Sequence, residues 1–161
     1  MKRLIMVVTS LAVLMNLNCC TTKEIVRLDL TSFNENPEAY ADKRVIITTD
    51  IASLINNPTP YFYKDIEISG FINKALIGLD WGFYLEDEAG LSVRCYERTY
   101  RHSPWLRADM AVKRAWRNKE NITIVGVFGK LHDIELYWIE VGGEIIDTDY
   151  KPNLPGYPFR W

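Results

Sequence analysis

Lys64-Asp65-Ile66-Glu67-Ile68-Ser69-Gly70-Phe71-Ile72, Trp81-Gly82-Phe83-Tyr84-Leu85-Glu86 and Leu91-Ser92-Val93-Arg94-Cys95-Tyr96 decide the fold. In the first stretch Ile66, Ile68, Gly70 and Ile72 share one face. In the second, Trp81, Phe83 and Leu85 point one way and Gly82, Tyr84 and Glu86 the other. In the third, Leu91, Val93 and Cys95 point inward and Ser92, Arg94 and Tyr96 outward. A period of two residues marks a strand with one buried face. Glu86-Asp87-Glu88-Ala89-Gly90 is a short turn containing glycine, so the second and third stretches read as a hairpin.

Downstream, Ser103-Pro104 opens a helix expected over about Pro104 to Asn118. Trp105, Ala108, Val112, Ala115 and Trp116 form its apolar stripe, with Arg107, Arg114 and Arg117 opposite. Asn121 to Gly129 and Ile134 to Val141 are two more strands, separated by a turn around His132-Asp133 and closed by Gly142-Gly143. The tail, Tyr150 to Trp161, carries three prolines and four aromatics without periodicity and is expected to be extended.

Upstream, Val26 to Leu30 alternates as a strand, and Asn36-Pro37-Glu38-Ala39-Tyr40 has the chemistry of a short helix start. Arg44 to Ile51 is rich in β-branched residues and reads as a strand, and Asn56 to Pro60 breaks the pattern. Asn36-Pro37-x-x-Tyr40-x-x-Lys43-x-Val45-x-Ile47 recurs 21 residues later as Asn57-Pro58-x-x-Tyr61-x-x-Lys64-x-Ile66-x-Ile68. Two copies are too few for a solenoid. The echo reads as two strands with similar lead-ins, a chance similarity.

From Lys64 onward the order is strand, strand, strand, helix, strand, strand. Ile66-Glu67-Ile68-Ser69-Gly70-Phe71-Ile72, Phe83-Tyr84-Leu85-Glu86-Asp87 and Ile124-Val125-Gly126-Val127 resemble bacterial OB-fold proteins of the exported and tRNA-anticodon-binding-like kinds. The resemblance covers residues 61–146. It implies a mainly β fold, a five-stranded Greek-key β-barrel with one helix, carrying an N-terminal strand and short-helix extension. The strand near residue 45 then adds to an edge or replaces the first strand. The alternative is a small α+β sheet of another topology. The organisation expected is a signal over 1–19, tether and extension over 20–60, barrel over 61–146 and Pro/aromatic tail over 147–161.

The N-terminus is tripartite. Met1-Lys2-Arg3 is basic, Leu4 to Leu14 is apolar apart from Thr9 and Ser10, and Leu17-Asn18-Cys19-Cys20 follows. The apolar run is shorter than the ~20 residues of helix that cross a bilayer, so it reads as a signal peptide. It resembles the signal of bacterial lipoproteins, which place an aliphatic residue three positions before the acylated cysteine. Leu17 fills that place for Cys20, and Asn16 would fill it for Cys19, so the lipidation site is one of these two. The resemblance implies a diacylglycerol plus an amide-linked acyl chain, enough for stable anchoring. It also implies a cell-envelope location, with Thr21 favouring the outer membrane facing the periplasm. An ordinary secretory signal with two incidental cysteines is the alternative. Cleavage after residue 19 leaves 17 basic and 21 acidic side chains, a net charge of −4. That balance disfavours nucleic acid as a partner. With Cys20 acylated, Cys95 is the only remaining thiol, so no disulfide framework is available.

No Gly-x-Ser-x-Gly, His-Glu-x-x-His, phosphate-binding Gly-x4-Gly-Lys or Cys-x-x-Cys occurs. His102 and His132 read as surface histidines, Glu86-Asp87-Glu88 as a solvated hairpin tip and Cys95 as an inert buried thiol, so neither cofactor nor metal is expected. One constellation stands out. Arg94 to Glu120 carries eight basic and three acidic residues, with Tyr96, Tyr100 and Trp105 interleaved. Arginine beside an exposed aromatic can stack on a ligand. In an OB fold Tyr84, Arg94 and Tyr96 would project from the face that binds ligands, with Arg98 beside them. The expectation is a non-enzymatic binding or assembly module for an envelope protein or polymer. The alternatives are a hydrolase or nuclease using Arg94 or Arg98 with Glu86, Asp87 or His102, and a structural lipoprotein whose tail docks a neighbour.

Overall fold

The computed structural model describes residues 23–76, 81–97 and 105–147. Cys19, Cys20, Arg98, His102 and the tail from residue 148 onward lie outside the described residues, as do the side chains of Trp105 and Arg107. The described chain is mainly β. Its order is β1 (Ile25–Leu28), α1 (Leu30–Glu35), a 3-10 turn (Pro37–Tyr40), β2 (Arg44–Thr48), α2 (Ile51–Asn56), a second 3-10 turn (Thr59–Tyr61), β3 (Asp65–Leu76), β4 (Gly82–Glu86), β5 (Ser92–Tyr96), α3 (Trp105–Asn118), β6 (Asn121–Phe128), β7 (Asp133–Val141) and β8 (Glu144–Asp147).

Alternation explains the central strands. Ile66, Ile68 and Ile72 of β3, Phe83 and Leu85 of β4, and Val93 and Cys95 of β5 are buried in one core with Ile122, Ile124, Ile134, Leu136 and Ile139. Burying each of the large side chains stabilises the fold by about 1.5–3 kcal/mol. β3 pairs antiparallel with β6 from Asp65 to Phe71 and then with β4 from Phe71 to Leu76. β4 pairs with β5 and β6 with β7, both antiparallel, and β5 pairs with β7 in parallel. The hydrogen-bonded pairs β3–β4–β5–β7–β6–β3 therefore form a closed circuit. Gly70 sits where β3 exchanges one partner for the other. A Cβ there would meet the Glu86 carbonyl oxygen at 2.6 Å, so the close passage of the two strands depends on glycine.

Helix α3 presses Ala108, Ala111, Val112 and Ala115 into the core, against β3, β7 and β8. The expected stripe needs one correction. Trp116 is 44 % exposed. Ala108, Ala111 and Ala115 bring the helix backbone close to the sheet, and Trp116 lies at the margin of the buried stripe, partly open to solvent. A second strand is also added beyond Gly142-Gly143: both glycines have positive φ and turn the chain back so that β8 pairs with β7.

The largest revision concerns the N-terminal extension. The strand expected over Arg44 to Ile51 stops at Thr48, because Asp50 caps a helix: its carboxylate accepts the Ser53 N–H at 2.6 Å. Asp29 does the same for α1, accepting the Ser32 N–H at 2.9 Å. The 21-residue echo is a repeated structure. In each copy a strand leads to an Asp-capped six-residue helix, an Asn with φ near −150° or −142° and ψ near 66° or 68°, a 3-10 turn, and the next strand in parallel. Adding 21 to both partners of Val26↔Val45 gives Ile47↔Ile66, which is the observed pairing of the second step. Lys43 N–H donates to Tyr40 O and Lys64 N–H to Tyr61 O, the same bond in both copies. β2 thus adds in parallel to the edge of β3, and β1 to that of β2.

Candidate functional site

The outward side chains of β3, β4 and β5 make the candidate site. The registers Lys74↔Tyr84 and Tyr84↔Arg94 line up one residue from each strand across the sheet. Tyr96 lies two residues beyond Arg94 on the same face, and the Arg94 guanidinium carbon sits 5.3 Å from the centre of its ring. Tyr84, Arg94 and Tyr96 are all half-buried. The sequence placed these three on one outward face, and the pairing puts Tyr84 beside Arg94. Lys74 was missed. A bulge between Ile72 and Lys74 shifts the register there, so Lys74 joins a face that simple alternation would not give it.

A groove of about 420 Å³ continues this face toward the end of α3, lined by Phe71, Ile72, Asn73, Glu86, Trp116 and Lys119. Phe71 and Glu86 are cross-strand partners. Asn73, in the bulge, donates through Nδ2 to the Glu86 carboxylate. Lys119 has a positive φ of 52°, and the Glu120 N–H returns to Ala115 O at 2.9 Å to close the helix end. None of these contacts was legible beforehand, because residues 71 to 119 meet only through the fold.

The basic constellation does not converge among the described residues. Arg94 is on β5, whereas Lys113, Arg114 and Arg117 are on the exposed side of α3. Lys113 pairs with Asp109 at 2.7 Å, and Asp109 also accepts from the Trp81 indole N–H at 3.3 Å. The carboxylates considered for catalysis are engaged. Asp87 Oδ1 accepts the N–H groups of Ala89 and Leu91, both at 2.9 Å, and so builds the hairpin turn. Glu86 is held by Asn73. Among the described residues no three His, Cys, Asp or Glu side chains are placed to hold a metal. His132 is exposed and stacks on Phe62 and Phe128.

Cys95 is fully buried, its Sγ 3.8 Å from Val93 O. Burial raises its pKa far above the ordinary thiol value, so it stays a protonated, unreactive group. On the outer surface of β2, β3 and β7 lies a separate cluster. Arg44 Nε donates to Asp65 Oδ2 at 2.8 Å, Tyr137 Oη donates to Asp65 Oδ1 at 2.9 Å, and the guanidinium lies 4.8 Å from the Tyr137 ring centre. Arg44 Nη2 is buried without a hydrogen-bond partner, and the aromatic ring faces offset that loss. This cluster fastens β2 over Ile46, Val125 and Tyr137.

No family model matches the chain, and no curated protein matches it. Among solved structures it is similar to a chain described as OBody AM1L10 bound to hen egg-white lysozyme. That likeness is at 15% identity, with a TM-score of 0.39, over 50% of this chain and 81% of that one. No helix among the described residues is long and apolar enough to cross a membrane.

Proposed function

We propose that this chain is a lipid-anchored module of the bacterial cell envelope that binds another envelope protein or polymer, without chemistry of its own, on the outer face of β4 and β5. One observation carries the reading. The Lys74–Tyr84–Arg94 row, with Tyr96 beside it, gathers two cations and two aromatic rings on a face built from rigid paired strands. Such a face can stack on and hydrogen-bond a partner with little ordering cost.

The accompanying fold reading is an OB-like five-stranded Greek-key barrel formed by β3 to β7. It is supported by the closed circuit of pairs, by the parallel β5–β7 pair within it, and by the position of α3 between its third and fourth strands. The anchoring part rests on the sequence from Met1 to Cys20 and its lipoprotein-like pattern. In this reading the acylated cysteine is Cys19 or Cys20, the location is the outer membrane facing the periplasm, and Arg98 takes part in binding.

Two measurements test it. Palmitate labelling of cells should mark the protein, and Cys19→Ala with Cys20→Ala should release it from membranes. Capture of partners from crosslinked envelopes should fall when Tyr84, Arg94 and Tyr96 are all changed to alanine, with the circular dichroism spectrum unchanged. A triple variant that keeps every partner would show that the face has been wrongly chosen.

A further inference from the structure

We infer that the groove between the bulge of β3 and the end of α3 is a subsite for a neutral saccharide ring, which names a ligand class for the binding module proposed above and rests on that reading. Its lining has the composition such a ligand requires. Trp116 is an exposed aromatic in a helix whose other apolar side chains among the described residues from Ala108, Met110 apart, are buried, and with Phe71 it supplies flat apolar surface. The C–H faces of a pyranose ring pack on such surfaces, while its edge hydroxyls need paired donors and acceptors. Asn73 and Glu86 provide both kinds, side by side, and their mutual hydrogen bond fixes them before a ligand arrives.

Charge selects the class further. Glu86 and Lys119 are the only ionisable groups in the lining and are opposite in sign, so the groove has no net charge. A phosphate polymer would gain nothing there, in contrast with the Lys74–Arg94 row nearby. A volume of about 420 Å³ lies at the small end of the ~300–1,000 Å³ range of ligand pockets and suits one or two sugar rings. Because Phe71 and Glu86 are neighbours of the Lys74–Tyr84 pair on the same strands, a glycan seated in the groove could run on across the proposed face.

The test uses the intact protein and a panel of neutral trisaccharides (chitotriose, maltotriose and cellotriose), with a sulfated trisaccharide as the charged comparison. Titration is followed by the indole N–H resonance of Trp116, assigned from the Trp116→Phe variant. At least one neutral sugar should shift that resonance saturably. Trp116→Ala and Glu86→Gln should each weaken binding by about tenfold or more, and Trp116→Phe by less, since a ring remains to stack on. Trp116 is largely outside the core, so the thermal midpoint of its variants should stay close to that of the parent. No shift with any neutral sugar, equal binding by Trp116→Ala, or binding of the sulfated sugar alone would each overturn the inference. Failure here is separable from failure of the module. Loss of envelope partners in the Tyr84/Arg94/Tyr96 variant without any sugar binding removes the subsite and keeps the face. Sugar binding with partner capture indifferent to that variant does the reverse.

Discussion

Helices α1 and α2 stand 21 residues apart and begin in the same way, with Asp29 and Asp50 each accepting the N–H of the serine three residues on. Each helix then ends on an asparagine followed by proline, and each hands over to a strand that pairs in parallel with the previous one. Their surroundings differ. α2 buries Ile51 and Leu54, at 1 % and 0 % exposure, while α1 has no buried residue and touches the core only through half-buried Leu30 and Phe33. The same Asp-to-backbone cap and a similar asparagine–proline turn therefore build both units, and packing makes one of them part of the core. The local code sets the shape. The position in the stack sets the stability.

Three measurements would separate the two units. The largest effect is expected from truncating the core side. Leu54→Ala should cost about 2–5 kcal/mol in denaturant unfolding, because a fully buried leucine leaves a cavity. Phe33→Ala, at the equivalent place in the first unit, should cost only about 1 kcal/mol, since its ring is already partly in water. Equal losses would show that the outer unit is as integral as the inner one. The caps come next. Asp29→Ala and Asp50→Ala should each cost about 0.5–2 kcal/mol of local helix stability. Hydrogen exchange should show the Asp50 change spreading into β2 and β3, and the Asp29 change confined to α1.

The smallest effect is in pH. The Ser32 backbone N–H, followed by its hydroxyl, holds the Asp29 carboxyl below its ordinary value of 3.8. A depressed folded-state pKa means the cap's contribution is present above the ordinary value and is lost as pH falls through the folded one. Exchange protection in α1 should therefore decline only below about pH 4. A decline in α1 beginning near neutrality would assign its fraying to another group.

How much of this was readable from the chain follows from the range of each interaction. β3, β4, β5, β6 and β7 announce themselves through two-residue alternation, and α3 through Ala108, Val112 and Ala115, because burial on one face is written directly into residue order. α1 and α2 were not readable as helices. Six residues make too few turns for a periodic stripe, and Asp29 and Asp50 sit near the ends of stretches that read as strands, the first by alternation and the second by its β-branched residues. The signal that could have found them was the 21-residue echo, which pairs Asn36-Pro37 with Asn57-Pro58 and is structural after all. At the candidate site, Tyr84, Arg94 and Tyr96 follow from alternation, whereas Lys74 depends on a bulge that no residue type marks. The Asn73–Glu86–Trp116–Lys119 groove is purely tertiary, so composition could not reveal it.

The most direct test of the proposed binding face is site-specific photo-crosslinking in intact envelopes, with a photoreactive phenylalanine analogue placed singly at Tyr84, Tyr96 and Tyr63. Tyr63 is 66 % exposed and lies before the start of β3, outside the strands whose outward side chains make the face. Discrete adducts are expected from positions 84 and 96 and none from 63. Adducts from 63 alone, or the same adducts from all three positions, would contradict it.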